Sequence, residues 1–415
     1  MNQDLNPFTP GAGLTPPELT GRDQEILDFD RLVARSKMRL TDRGLMLYGL
    51  RGVGKTVLLR RLETHAERSG WLTLRLEGSL TSSAQKQLRI KLARDLAQQT
   101  RVATQGHTGS AIQRAIASIA ELSLTLGFAQ ARLVLKPKAD EPAFTTGVLE
   151  IDFPEAILNL AEALKELPQP KAIGFFIDEI QDLDSELLDM LLTTQHEAGQ
   201  RELPFYIIGA GLPSVPTRLG EIKTYAEGLF SYREIGALTP DATRRAFIEP
   251  IRRPGGHIVE SALEKATVAS QGYPYFIQQY GQAIWNSTAQ QTITDDDVLA
   301  GLAVGRSELD SGFYLTRWQR TTAAEQDYLV AMARVMKGQA ARTGEIAEAL
   351  DKTANGTSVV RKSLIEKGLV YSPGVGQLAF TVPGMQEFVL RQAGAGIGRA
   401  PASAPFTHRK SSGHI

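Results

Sequence analysis

The stretch Gly44-Leu45-Met46-Leu47-Tyr48-Gly49-Leu50-Arg51-Gly52-Val53-Gly54-Lys55-Thr56 decides the reading of this chain. Its first five residues are a short apolar run, the pattern of a buried strand. A glycine-rich turn follows, and residues 53–68 read as a helix. Leu58, Leu59 and Leu62 share one side of that helix, with Arg60, Arg61 and Glu63 toward solvent. From Gly49 to Thr56 the spacing is G-x-x-x-x-G-K-[ST], and it sits between a strand and a helix, the context that gives the pattern meaning. Glycines let the loop curl until several backbone N–H groups point inward. The new helix directs the positive end of its dipole at the same place. Gly49, Leu50, Arg51, Gly52, Val53, Gly54, Lys55 and Thr56 together make an anion cradle.

Such a loop is expected to hold the phosphates of ATP. Lys55 would reach the β- and γ-phosphates, and in the empty loop it is expected to face solvent. Thr56 would offer its hydroxyl to Mg²⁺. The metal needs a second protein ligand, an Asp at the end of a neighbouring buried strand. The run Ala172-Ile173-Gly174-Phe175-Phe176-Ile177 is that strand, and Asp178 follows it. Glu179, next in line, is placed to orient and deprotonate a water. The alternative for this pair is a helix N-cap. Gln181 and Asp182 either support the site or are polar groups at a helix entry.

Working outward, strand and helix patterns alternate. Residues 71–76 (WLTLRL) and 205–208 (FYII) read as strands; 82–97, 111–122, 157–167 and 185–199 read as helices; a first helix begins near Asp23. Residues 123–136 alternate and suggest a hairpin. The alternation implies a mainly parallel sheet covered on both faces. From 239 to 303 the signals are helical. Thr239-Pro240 opens one helix, Gln271-Gly272-Tyr273-Pro274 breaks two others, and Thr294 with Asp297 is a cap signal. Asp295, Asp296 and Asp297 are read as first-turn carboxylates suited to a helix dipole rather than as a metal cluster.

The last ordered unit carries three helices, from about 322 to 335, from Thr343, and from 357 to 367. Leu369-Val370-Tyr371 and Gln377-Leu378-Ala379-Phe380 then flank a glycine-bearing turn. The order is that of a winged helix-turn-helix. In its third helix Val359, Val360, Leu364 and Ile365 are expected to pack, leaving Thr357, Ser358, Arg361 and Lys362 on the open side. The expected divisions are a Pro/Gly-rich, loop-like leader (1–20), a core (21–238), a helical lid (239–308), the winged helix (309–392) and a disordered tail (393–415).

Bulk composition sets limits. The 415 residues include 46 Lys and Arg against 46 Asp and Glu, so any nucleic-acid contact must come from a local patch. There is no cysteine, which removes disulfides, thiolate metal sites and a cysteine nucleophile and fits a reducing compartment. No run is long and apolar enough to span a bilayer, and the first residues lack the pattern of a signal peptide; a cytoplasmic protein without a membrane partner is expected. None of the six histidines forms His-Glu-x-x-His, and there is no Gly-x-Ser-x-Gly elbow.

With these motifs in place the sequence resembles AAA+ and STAND-type ATPases of the origin-recognition and initiator class. Four signatures carry the resemblance: Leu19-Thr20-Gly21-Arg22-Asp23 with Glu25, the phosphate loop, the run Phe175 to Gln181, and Gly272-Tyr273-Pro274. It implies an α/β fold: a P-loop NTPase parallel sheet with a helical lid, followed by an α+β winged helix-turn-helix domain. It implies ATP and Mg²⁺ as ligands, Gly21 and Arg22 near the adenine, and Tyr273 and Pro274 near sugar and base. Where that family usually places a polar sensor side chain, this sequence has Gly209-Ala210-Gly211. After Pro274 come Tyr275, Phe276 and Ile277, with no second sensor arginine. Both departures favour a slow switch over a fast motor. Arg218 and Arg233 are candidates for an arginine finger, though each reads first as a surface charge. Two functions stand: an ATP-dependent switch that binds double-stranded DNA through residues 357–367, or an ATP-controlled signalling or assembly module that self-associates or docks a protein partner.

Overall fold

Short apolar runs become the central strands. The computed structural model describes residues 1–11, 13–138 and 146–394, divided into a unit of residues 1–309 and a second from 310. In the first unit α1 (Asp23–Lys37) precedes β1 (Gly44–Tyr48), and α2 (Lys55–Arg68) leads to β2 (Leu72–Glu77). Four helices follow: α3 (Ser82–Thr104), α4 (Ser110–Thr125), α5 (Ala131–Leu135) and α6 (Leu149–Lys165). Then come β3 (Ile173–Asp178), α7 (Ser185–Gln200), β4 (Phe205–Gly211), α8 (Val215–Ile222), α9 (Ala226–Leu229) and β5 (Phe230–Glu234).

The five strands are parallel, in the order β2-β3-β4-β1-β5. Every residue of β3 and β4 is buried, which is why these strands show no polar alternation. The chain leaves β1 toward β2 and leaves β4 the other way, toward β5. Between these two strands the carboxyl edge therefore opens a crevice, the place where open α/β sheets take ligands. One expectation is corrected here: β3 is not the direct neighbour of β1, because β4 lies between them.

The hairpin expected over 123–136 is absent. Ser123 to Thr125 complete α4, and Ala131–Leu135 is a helix. Ala131 and Leu135 are buried while Leu133 is exposed, so the burial period there is four rather than two.

The rest of the unit is helical: α10 (Pro240–Arg252), α11 (Glu260–Ser270), α12 (Pro274–Ser287) and α13 (Asp295–Glu308), with the two-residue strands β6 (His257–Ile258) and β7 (Thr292–Ile293) paired between them. Thr239 caps α10, and Thr294 and Asp297 form a capping box on α13. Asp295 pairs with Lys265 at 2.9 Å, so this acidic run caps and pairs. The leader is not simply a loop. Residues Gln3–Leu5 make one 3-10 turn, and Phe8 is buried against Phe247 and over Gly281 of α12.

The second unit contains α14 (Leu315–Gln319), α15 (Ala323–Val335), β8 (Ala341–Arg342), α16 (Thr343–Ala349), α17 (Ser358–Glu366), β9 (Val370–Tyr371), β10 (Gln377–Phe380) and α18 (Met385–Gly394). The strands form an antiparallel sheet in the order β8-β10-β9. Two expectations for α17 fail. Val359 is 80% exposed and Ile365 is 39% exposed, whereas Thr357 is buried. Leu364 is the fully buried residue of this nine-residue helix. Of the tail expected from 393, Ala393 and Gly394 end α18, and residues 395–415 lie outside the described residues.

A single carboxylate ties this unit together. Glu325 accepts the Thr322 N–H at 2.6 Å, the Ser363 hydroxyl at 2.7 Å and the Lys367 ammonium at 2.6 and 2.8 Å. It joins the start of α15 to the end of α17. Burial alone would raise its pKa, but Lys367 and the hydroxyl and backbone donors outweigh it and hold the group at about 2, below its ordinary 4.5. Its contribution is therefore complete above pH 4.5 and is lost as pH falls toward 2, on the order of 3 kcal/mol in all. Glu325→Gln should raise amide exchange across α15 and α17 at neutral pH. It should also remove the acid-side loss of protection expected of the wild type between pH 4.5 and 2, as read by exchange mass spectrometry.

Candidate phosphate-loop site

The loop between β1 and α2 is fixed at its start by two backbone bonds. Gly49 N–H donates to the Gly211 carbonyl of β4 at 3.1 Å, and Ile235 N–H donates to Tyr48 at 2.7 Å. A Cβ on Gly49 would lie 2.1 Å from the Ile235 carbonyl oxygen, so no larger residue fits. Lys55 opens α2, whose first N–H groups lack partners within the helix and face the loop.

Lys55 does not face solvent, contrary to expectation. It is 7% exposed, and its Nζ donates to the carbonyls of Gly49 at 2.8 Å and Leu50 at 2.7 Å. The ammonium satisfies carbonyls that the curled loop turns inward. Burial lowers its pKa to about 8; Glu179 and Asp178 pull it back up, and Arg51 pushes it further down. The structure thus brings the loop lysine and the two carboxylates after β3 into one electrostatic group, across the width of β4.

Asp178 is buried at the end of β3, and its Oδ1 accepts the Glu179 N–H at 3.1 Å. Glu179 has left-handed backbone angles (φ 45°, ψ 46°) and begins a 3-10 turn over Ile180–Asp182. That conformation costs a non-glycine residue of order 1 kcal/mol. The helix after this turn is capped instead by Asp184, which accepts the Leu187 N–H. Gln181 donates from Nε2 to Glu179 Oε2 at 2.7 Å. Asp182 sits nearby with its pKa raised by burial and by Glu179, against the pull of Arg51.

The lid meets the loop directly. Tyr275 N–H donates to the Gly52 carbonyl at 3.2 Å, and Pro274 opens α12. Gly52 has φ +84°, and a Cβ there would stand 3.0 Å from the Tyr273 ring and hydroxyl. Leu238 N–H donates to Gly272 at 2.7 Å. Arg22 is buried, with Nη2 donating to Val53 at 3.0 Å and to Gly236 at 2.6 Å; burial lowers its pKa. Its guanidinium braces the loop against the chain after β5. Gly21 packs on Ala242 and Leu238. Gly21, Arg22, the loop, Tyr273 and Pro274 are therefore gathered at one place.

Arg233 is bound to Asp28 at 2.8 Å, and Arg218 donates to the Ser185 hydroxyl at 2.7 Å. Both are engaged within the chain. Sequence patterns missed one neighbour of the loop. The leader passes over α2, where Arg60 donates to the Gly13 carbonyl at 2.8 Å, and a Cβ on Gly13 would lie 3.6 Å from the Thr56 methyl. No local signal marks this contact, because its partners are 47 residues apart.

Residues 18–208 match the family described as AAA ATPase domain, and residues 311–389 match a domain family of unknown function, DUF8462. A search of curated proteins finds no match. Among solved structures the chain is similar to the RuvB Holliday junction branch migration motor of Thermotoga maritima, with 15% identity over 88% of this chain and 95% of that one and a TM-score of 0.43. It is similar to Cdc6p of Pyrobaculum aerophilum (13% identity, 95% and 99% covered, TM-score 0.42). It is also similar to Orc1 of Aeropyrum pernix, solved with DNA (16%, 92% and 95%, TM-score 0.42). Likeness at this level adds nothing to the family match. Taken with the strand-loop-helix at β1 and the acidic end of β3, that match establishes that the chain carries an AAA ATPase domain over residues 18–208.

Proposed function

We propose that the chain is an ATP-binding, slowly ATP-hydrolysing switch of the AAA+/STAND kind, whose nucleotide state acts on its C-terminal unit. The observation that carries this reading is the convergence on residues 49–56 of three separate parts: the buried Lys55, the Asp178-Glu179 end of β3, and the lid through Tyr273 and Tyr275. A phosphate entering the loop would replace the Gly49 and Leu50 carbonyls as partner of Lys55. That exchange gives the loop two states, one closed on its own lysine and one opened by an anion. Val53 and Gly54 bring backbone donors, and Arg51 adds a second cation near the phosphates. Gly21, Arg22, Tyr273 and Pro274 wall the side where base and sugar would lie.

Mg²⁺ fits this donor set. Among the described residues no group of three or more Asp, Glu or His is arranged to hold a metal alone. A Thr56 hydroxyl with an Asp178 carboxylate suits an ion that keeps waters and phosphate oxygens as its remaining ligands. Bound there, it would neutralise phosphate charge. Glu179 holds and deprotonates the attacking water. The absence of a long polar side chain at Gly209-Ala210-Gly211 supports slow turnover.

For the C-terminal unit we propose a winged helix that presents α17. Duplex DNA is the first reading, through Arg361 and Lys362. A specific observation favours protein docking as the second: Lys362 has Glu366 within 3.9 Å, and Val359 and Val375 are exposed apolar side chains. The cytoplasm fits either reading, and no helix among the described residues is long and apolar enough to cross a membrane.

Lys55→Ala should lower ATP affinity about 100-fold or more while far-UV circular dichroism stays unchanged; retained binding of labelled ATP would show the site to be misassigned. Glu179→Gln should bind Mg·ATP as tightly as the wild type but turn it over at least ~100-fold more slowly. If DNA is the partner, Arg361→Ala with Lys362→Ala should flatten the slope of log affinity against log salt by about two. A gel shift with random duplex, with and without ATP, checks this. No binding at low salt in any nucleotide state leaves protein docking.

A further inference from the structure

The carboxylate of Glu179 is not free to choose its direction. Gln181 Nε2 donates to Glu179 Oε2 at 2.7 Å, and the other end of the same amide, Oε1, accepts the Leu212 N–H at 3.0 Å. Leu212 follows directly on β4. Its backbone donor can bond only to the oxygen of the amide, so the amide nitrogen is left facing Glu179. The orientation of Gln181 is thereby set by the strand and passed on to the carboxylate.

The strand has made room for this arrangement. A Cβ on Gly211 would lie 2.3 Å from Gln181 Oε1 and 2.5 Å from Val215 Cγ2, so any side chain there would displace the amide. The Gly211 carbonyl in turn accepts the N–H of Gly49, the first residue of the phosphate loop, at 3.1 Å. A continuous backbone and side-chain path thus runs from the loop, through the end of β4 and Gln181, to Glu179. The 3-10 turn beginning at Glu179 is what brings Gln181 back alongside it.

We infer that Gln181 is a positioning residue for Glu179, fixing its carboxylate to the end of β4 and hence in register with the phosphate loop. This rests on the reading of Glu179 as the group that activates water. It assigns to the turn after β3 the polar contact that the side chains of Gly209, Ala210 and Gly211 cannot make. A Gln181 that only stabilises the fold would matter equally with or without the Glu179 carboxylate. One that acts through Glu179 would matter only while that carboxylate is present.

The test is a double-mutant cycle on the full chain, reading ATP affinity and single-turnover hydrolysis. Gln181→Ala should slow hydrolysis about tenfold or more and leave the Kd for Mg·ATP within about threefold. In a Glu179→Gln background it should cause no further slowing. Unchanged or faster hydrolysis in Gln181→Ala, or a loss of ATP affinity of the same size, overturns the inference. So does an equal slowing in both backgrounds. If Glu179→Gln itself hydrolyses ATP as fast as the wild type, the assignment of Glu179 has failed, and this result is distinct from a failure at Gln181 alone. Should Gln181→Ala not fold, Gln181→Glu keeps the length and the acceptor for Leu212 while removing the donor to Glu179. The same slowing with retained affinity is then expected.

Discussion

The buried ammonium of Lys55 is the charge around which the carboxyl edge of the sheet is organised. An unpaired charge is costly to bury, and this one is compensated twice. The Gly49 and Leu50 carbonyls bond it directly, and Asp178 and Glu179 hold it by longer-range attraction. The same arrangement makes the loop responsive: carbonyl partners are neutral, so an anion offers the lysine a stronger partner than those it has. The depressed pKa reports the same competition, since burial weakens the charged form and an anion would restore it.

The consequences reach outward from the loop by short bonds. Arg22 holds the Val53 carbonyl from one side, and Tyr275 holds the Gly52 carbonyl from another. A change in the path of the loop must therefore be felt at the end of β5, through Gly236, and at the start of α12. The lid meets the loop through one N–H in the first turn of α12, that of Tyr275. Phe8 extends the same mechanics: it is buried between α10 and α12, while Gly13, five residues on, is bonded to Arg60 of α2.

Much of this was legible in the sequence where the signal is local. β1, β3 and β4 are short apolar runs, and a fully buried strand needs little else to be seen. The cap at Thr294 with Asp297 is a four-residue pattern. What escaped was set by distant partners. β5 (Phe230–Glu234) mixes Ser, Arg and Glu because it lies at the sheet edge. Lys55 reads as a solvated cation unless the inward carbonyls are known, and no sequence shows which way a carbonyl points. Val359 reads as core because the helical spacing of α17 allows two apolar faces, and only the packing of α15 and the sheet selects Leu364. Phe8 finds its place over Gly281, which lies far along the chain.

Buried polar groups in the two units do different work, and the difference lies in what remains unsatisfied. Around Glu325 every donor is matched to the carboxylate, and the group gains by staying as it is; its depressed pKa measures that gain. Around Glu179 the carboxylate has one amide partner at one oxygen, a strained backbone, and two acidic neighbours, Asp178 and Asp182. Burial and the Glu179 charge raise the pKa of Asp182 against the opposing pull of Arg51 and a Gln181 hydrogen bond. Lys55 and Arg51 are the cations that act on this group. A cation placed beside Glu179 would meet a carboxylate with one amide partner, whereas one placed near Glu325 would meet a carboxylate already bonded by Thr322, Ser363 and Lys367. A carboxylate that a fold has finished satisfying is part of the scaffold; on the proposed reading, the less fully bonded Glu179, on the same edge as Lys55, is the one that would meet the water and the bound nucleotide.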